Sequence, residues 1–225
     1  MLHVTIRRDM RPRFAFVVGL LLVLTSGQTF GGEATPWPAE ATRAAAWTAS
    51  VSGYYFAYPE ASDYFVGIAS ANRDALHLEA RWNYENIDAG SVFVGWNFAA
   101  GEWLKVSVTP LLGMVFGTTR GIAPGVELAA AAAPFDFYFE GEYVFDWRGG
   151  SESFFYAWSE LAVTPLDWLR TGLVAQRTVT NQSDRSLQRG GFCQVLFHRR
   201  ANVAVYFFNP GSSDWYVATG IELRF

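Results

Sequence analysis

Leu76-His77-Leu78-Glu79-Ala80-Arg81-Trp82-Asn83-Tyr84-Glu85 alternates without interruption, every even position being apolar or aromatic and every odd one polar. Successive side chains of an extended chain point to opposite faces, so the stretch reads as a β-strand with one apolar and one polar side. A helix would scatter both classes around its circumference. Phe135-Asp136-Phe137-Tyr138-Phe139-Glu140-Gly141-Glu142-Tyr143 repeats the pattern, with its aromatic residues mostly at odd positions. An aromatic, apolar face suits hydrocarbon with an interfacial girdle, and the polar face suits an enclosed lumen.

Working outward, twelve such segments follow one another between short turns rich in Gly, Pro, Asp, Asn and Ser. They run over residues 47–58, 64–71, 76–85, 91–98, 104–116, 125–133, 135–147, 153–164, 169–180, 187–198, 203–208 and 214–225. Twelve is even, as it must be in a bacterial barrel whose two ends lie on the same side of the membrane. Ten strands would result if the weak second and eleventh segments were not full strands. The run Ala129 to Ala133 is the least strand-like stretch, because alanine prefers helix, but Gly125 and Pro134 leave room only for a short extended piece. Trp103 and Trp168 follow turns at equivalent places and are expected at one interface. The expected fold is therefore an all-β, closed antiparallel up-and-down transmembrane barrel. A soluble two-sheet sandwich with an aromatic core would show the same alternation.

The last segment separates the two. In Trp215-Tyr216-Val217-Ala218-Thr219-Gly220-Ile221-Glu222-Leu223-Arg224-Phe225, the residues Val217, Ile221, Leu223 and the terminal Phe225 share one face. The segment resembles the closing strand of bacterial outer-membrane barrels, which ends in an aromatic residue after alternating apolar ones. That resemblance implies an assembly signal read by the barrel-assembly machinery. Over residues 47 to 225 the chain is similar in architecture to small Gram-negative outer-membrane barrel proteins of unassigned function.

The opposite end agrees. Arg7, Arg8, Arg11 and Arg13 precede an apolar stretch, Phe14 to Leu24, and a small, polar segment up to Gly32. This is the layout of a secretory signal peptide, and eleven apolar residues fall short of the roughly 20 that a spanning helix needs. Residues 1–32 are read as the leader, 33–46 as a periplasmic lead-in and 47–225 as the barrel. Taking four arginines and one aspartate from the chain's 17 basic and 21 acidic residues leaves a net charge of about −7 with His neutral. Such a surface has no basic excess for nucleic acid. Cys193 is the only cysteine, so closure and packing, not an internal disulfide, must hold the fold.

Alternation places His77, Glu79, Arg81 and Asn83 on the lumen side of the third segment, Glu127 inside the sixth, and Glu140 and Glu142 inside the seventh. A tight turn at Pro134-Phe135 would bring Glu127 nearly opposite Glu142, where like charges need a counter-charge or water. Two readings follow: an acidic path attracting cations or small polar solutes, or an internal network in which Arg81, with Arg170 or Lys105, neutralises the glutamates. Arg177 and Arg189 flank the loop 181–186 at the expected extracellular rim. Strict alternation turns them outward toward lipid and lipopolysaccharide phosphates, whereas a bulge would turn them into the lumen.

Nothing in the sequence marks an enzyme. Some twelve-stranded outer-membrane barrels are phospholipases with a Ser and His pair, but here the mature histidines are His77 and His198, and Ser91 begins its strand at the rim opposite His77. No metal-ligand spacing, phosphate loop or nucleophile motif is present, so no cofactor is expected. The expected function is a narrow channel or binding barrel for small polar or cationic solutes. The alternatives are a structural, envelope-anchoring barrel with a filled lumen and, third, an outer-membrane hydrolase.

Overall fold

The computed structural model describes residues 46–148, 153–180, 185–197 and 200–225; the expected leader and nearly all of the lead-in lie outside them. The strands are β1 (Thr48–Ala57), β2 (Tyr64–Arg73), β3 (Leu76–Trp82), β4 (Ala89–Trp96), β5 (Phe98–Ala100), β6 (Lys105–Gly117), β7 (Gly121–Ala132), β8 (Phe135–Asp146), β9 (Phe154–Leu166), β10 (Leu169–Thr180), β11 (Arg185–Phe197), β12 (Ala201–Phe208) and β13 (Tyr216–Arg224). Apart from β4 and β5, consecutive strands pair antiparallel. β1 pairs with β13, and both β4 and β5 pair with β6, which closes the sheet on itself. β5 resumes the descent of β4 after a one-residue break at Asn97, so the wall holds twelve strands. The second and eleventh segments are full strands of 10 and 8 residues.

Among the described residues closure pairs every strand on both sides except the short β5, which pairs with β6 alone, and so nearly meets what an apolar surrounding demands. The seam is finished by the last residue: Phe225 N–H donates to Ala49 O at 2.8 Å and Ala49 N–H donates to Phe225 O at 3.2 Å. The outer face is apolar and ends in two aromatic belts. Tyr55, Phe65, Trp82, Phe116, Phe145 and Trp215 ring one end, and Trp47, Trp96, Phe98, Trp103, Phe135 and Trp168 the other, all exposed.

The alanine run is strand because of what it opposes. Ala130 faces Phe137 and Ala132 faces Phe135 across the β7–β8 ladder, and the small methyls leave room for the rings. Gly220 serves the same purpose on the inner face, where an added Cβ would stand 2.6 Å from the Tyr54 ring. The turn is the two-residue Ala133-Pro134, one residue earlier than the sequence reading placed it. Glu127 is therefore opposite Glu140, and Glu142 is opposite Gly125.

Candidate functional site

The inner surface has two unlike parts. Over β1, β2 and β9 to β13 it is aromatic. Phe56 stacks on Tyr64 with ring centroids 4.7 Å apart, Tyr58 on Tyr216 at 4.6 Å, Phe208 on Tyr216 at 4.6 Å and Phe192 on Tyr206 at 5.2 Å. Phe208 and Ala218 have no exposed surface. Above this packing, at the mouth next to the loops that follow β1 and β12, a cavity of about 350 Å³ is lined by Tyr58, Gln176, Gln188, Asp214, Trp215 and Tyr216 among others.

Over β3, β7 and β8 the inner surface carries charge, beside a smaller apolar cluster of Phe93, Leu111, Val115 and Val144. Arg81, whose side chain is 1% exposed, contacts Glu140 at 2.7 Å and Glu142 at 3.2 Å and forms a short pair with Glu79. Its guanidinium lies over the rings of Tyr84 at 4.4 Å and Phe93 at 4.3 Å, a placement that Arg makes favourable in a water-poor site. Tyr138 O–H reaches Glu140 at 3.2 Å and Glu127 at 3.5 Å. A second group bridges the two surfaces: Arg170 contacts Asp136 at 2.6 Å and Glu160 at 2.7 Å, and Glu160 also accepts from Trp158 Nε1 and Tyr206 O–H. Breaking a buried pair of this kind by removing one partner typically costs about 3–5 kcal/mol, since the remaining charge is stranded.

His77 is buried, and its Nδ1 lies 2.9 Å from Asn72 Oδ1. Asn72 Oδ1 also accepts from Asn97 Nδ2, and Asn97 Oδ1 accepts from the Thr109 hydroxyl. Asn72, Asn97 and Thr109 are not prominent in the sequence. The only trace is a lone asparagine interrupting an apolar strand at position 97. The ring also sits beside Glu79 and Glu127, the ligand-capable atoms of all three lying within 4.8 Å of one another. Spacing along the chain could not show this, since Glu127 comes from a strand three places around the wall.

Asn83 is a correction. β3 ends at Trp82, and Asn83 adopts a left-handed conformation with φ of 58° in the loop between β3 and β4, one that Asn tolerates well. Its amide donates to Phe65 O and its Oδ1 accepts from Asp88 N–H, so it shapes the loop and does not line the lumen. The change of direction turns Tyr84 inward against Arg81 and Tyr156. Glu85, in the same loop, accepts from Ser91, and burial raises its carboxyl above the usual carboxylate range.

The β10–β11 ladder runs in register from Thr171 to Val179, with no bulge at the rim, and both Arg177 and Arg189 are exposed on the outer face. Gln176 and Gln188, directly opposite each other, face the mouth cavity. Ile221, Leu223 and Phe225 are exposed on the outer face, in phase with half-buried Val217. Lys105 stays exposed at the N-terminal end of β6. Ser91 lies four register positions along β4 from Gly95, the partner of His77. At about 3.3 Å per residue that separation prevents a Ser and His pair, and His198 lies outside the described residues.

No known protein family and no curated protein matches this sequence. Solved structures do match in fold. The KdgM porin superposes with a TM-score of 0.60 at 10% identity over 78% of this chain and 99% of its own, and the KdgM porin in complex with disordered oligogalacturonate does so with the same score at 9% identity. The Acinetobacter baumannii outer membrane protein Omp33 aligns over 81% of this chain and 100% of its own at 13% identity, with a TM-score of 0.46. The chain thus has the closed twelve-stranded barrel fold of the KdgM porin.

Proposed function

We propose that this protein is an outer-membrane, porin-like barrel that takes small neutral or cationic solutes and is not an enzyme. The observation that carries this reading is the charge of the inner surface. Glu79, Glu127, Asp136, Glu140, Glu142 and Glu160 face inward against two guanidiniums, Arg81 and Arg170. Ionisable groups at membrane depth are costly and as a rule mark a pathway or binding site, and an acidic lining favours cations. Carboxylate-bearing polymers of the oligogalacturonate type would be repelled. The aromatic packing and the Arg81 contacts narrow the lumen, so a small unitary conductance is expected. Planar-bilayer recording on refolded protein tests this. Cation-selective openings that lose selectivity several-fold in the double substitution Glu140→Gln, Glu142→Gln support the reading; no openings in either form would leave it without support.

A second reading has its own observation in favour. The fully buried Phe208 and its stacked neighbours fill the lumen as a core would, which suits a sealed, envelope-anchoring barrel. On either reading, Arg177 and Arg189 would meet lipopolysaccharide phosphates, and the face carrying Val217, Ile221, Leu223 and Phe225 would be read by the assembly machinery.

A further inference from the structure

His77 is held in the way a metal-binding histidine is held. Asn72 Oδ1 is an acceptor only, and it already accepts from Asn97 in a chain that begins at the Thr109 hydroxyl. His77 Nδ1 must then be the donor in their 2.9 Å hydrogen bond, which leaves the lone pair of the neutral ring on Nε2. Fixing the tautomer through a hydrogen bond to the far nitrogen is the usual outer-shell arrangement of a ligating imidazole. Nε2 has no hydrogen-bond partner among the described residues, although the side chain is only 7% exposed. Glu79 Oε2 lies 3.8 Å away, too long for a hydrogen bond and close to the edge of a coordination polyhedron with bonds of about 2.0–2.2 Å. Glu79 holds Arg81 through its other oxygen, Oε1, so Oε2 is available.

The surrounding charge asks for a cation. Arg81 is shared among Glu79, Glu140 and Glu142, and Glu127 adds a fourth carboxylate with, among the described residues, only a long hydrogen bond from Tyr138. The geometry points to a divalent transition-metal site, of the Zn²⁺ class, formed by His77 Nε2, Glu79 and Glu127 inside the periplasmic half of the barrel. One imidazole with two carboxylates is a ligand set that Zn²⁺ and Co²⁺ accept, and water would complete the coordination. The site stands whether the lumen conducts or is sealed.

The test uses the untagged full barrel, refolded in detergent and stripped with chelator, titrated with Co²⁺ and followed by its visible d–d absorption, with Zn²⁺ as competitor. One Co²⁺ per barrel, displaced by Zn²⁺, is expected. His77→Gln should weaken binding at least 100-fold, Glu127→Gln at least 10-fold, and Asn72→Leu about 10-fold with all three ligands in place. A heated against unheated gel shift confirms closure of each variant. If His77→Gln does not close, the Glu127→Gln and Asn72→Leu titrations decide alone. Absence of binding in the unsubstituted barrel, or equal affinity in the variants that close, overturns the site.

Discussion

One side of the barrel interior is closed by ring stacking and the other by ion pairs, although both are built from the same alternating strand. On β12 the inward set is Ala204, Tyr206 and Phe208 after a single polar residue, Asn202; on β8 it is Asp136, Tyr138, Glu140 and Glu142, followed by Val144 and Asp146 toward the strand's end. Rings exclude water through shape and need no particular partner, so neighbouring strands simply add more rings. Carboxylates must be answered, and the answer comes from a distant segment: Arg81 reaches across to strand β8, which lies about 60 residues later in the chain. On the proposed channel reading, the aromatic side would set how wide the lumen is, and the charged side which solutes it tolerates.

Arg81→Leu should separate these roles most sharply. It strands Glu79, Glu140 and Glu142 in a buried site, and the expected loss is about 3–5 kcal/mol, read as an earlier urea unfolding midpoint of the refolded barrel. Adding Glu140→Gln and Glu142→Gln should recover most of it, because the carboxylates then no longer need a counter-charge. No loss in the single variant would mean that the charged side is well hydrated and the pairs contribute little. Phe208→Ala should cost about 3–4 kcal/mol through the cavity left in the stack, and its diagnostic second effect is a larger conductance with unchanged ion selectivity. A change of selectivity would show that the rings also screen charge. The smallest effect belongs to the outer face: Arg177→Gln with Arg189→Gln should leave unfolding in detergent unaltered and weaken lipopolysaccharide binding several-fold, measured by co-purification or vesicle titration.

The alternation at 76–82 and 135–143 was legible because period-two patterning is a local property, and it carried the barrel, the strand count and the inward assignment of Glu140 and Glu142. It broke down at Asn83, where a left-handed residue ends the extended run while the apolar and polar letters continue to alternate. It also misplaced Glu127 by two residues, since the ladder register depends on where a turn is centred and Ala133-Pro134 and Pro134-Phe135 read equally well as turns. His77 and Glu79 were visible as inward residues of one strand. Their meeting with Glu127 and the Asn72, Asn97 and Thr109 chain was not, because it joins strands β2, β3, β6 and β7 with the break between β4 and β5.

Residue order settles which face each side chain takes, because a pleated strand leaves it only two choices. Closure settles which inward residues become neighbours: strand number, register and tilt bring together side chains far apart in the chain. Arg81 consequently finds Glu140 and Glu142, Arg170 finds Asp136 and Glu160, and His77 finds Glu127, and these encounters depend on the curvature of the sheet and not on any local run of residues.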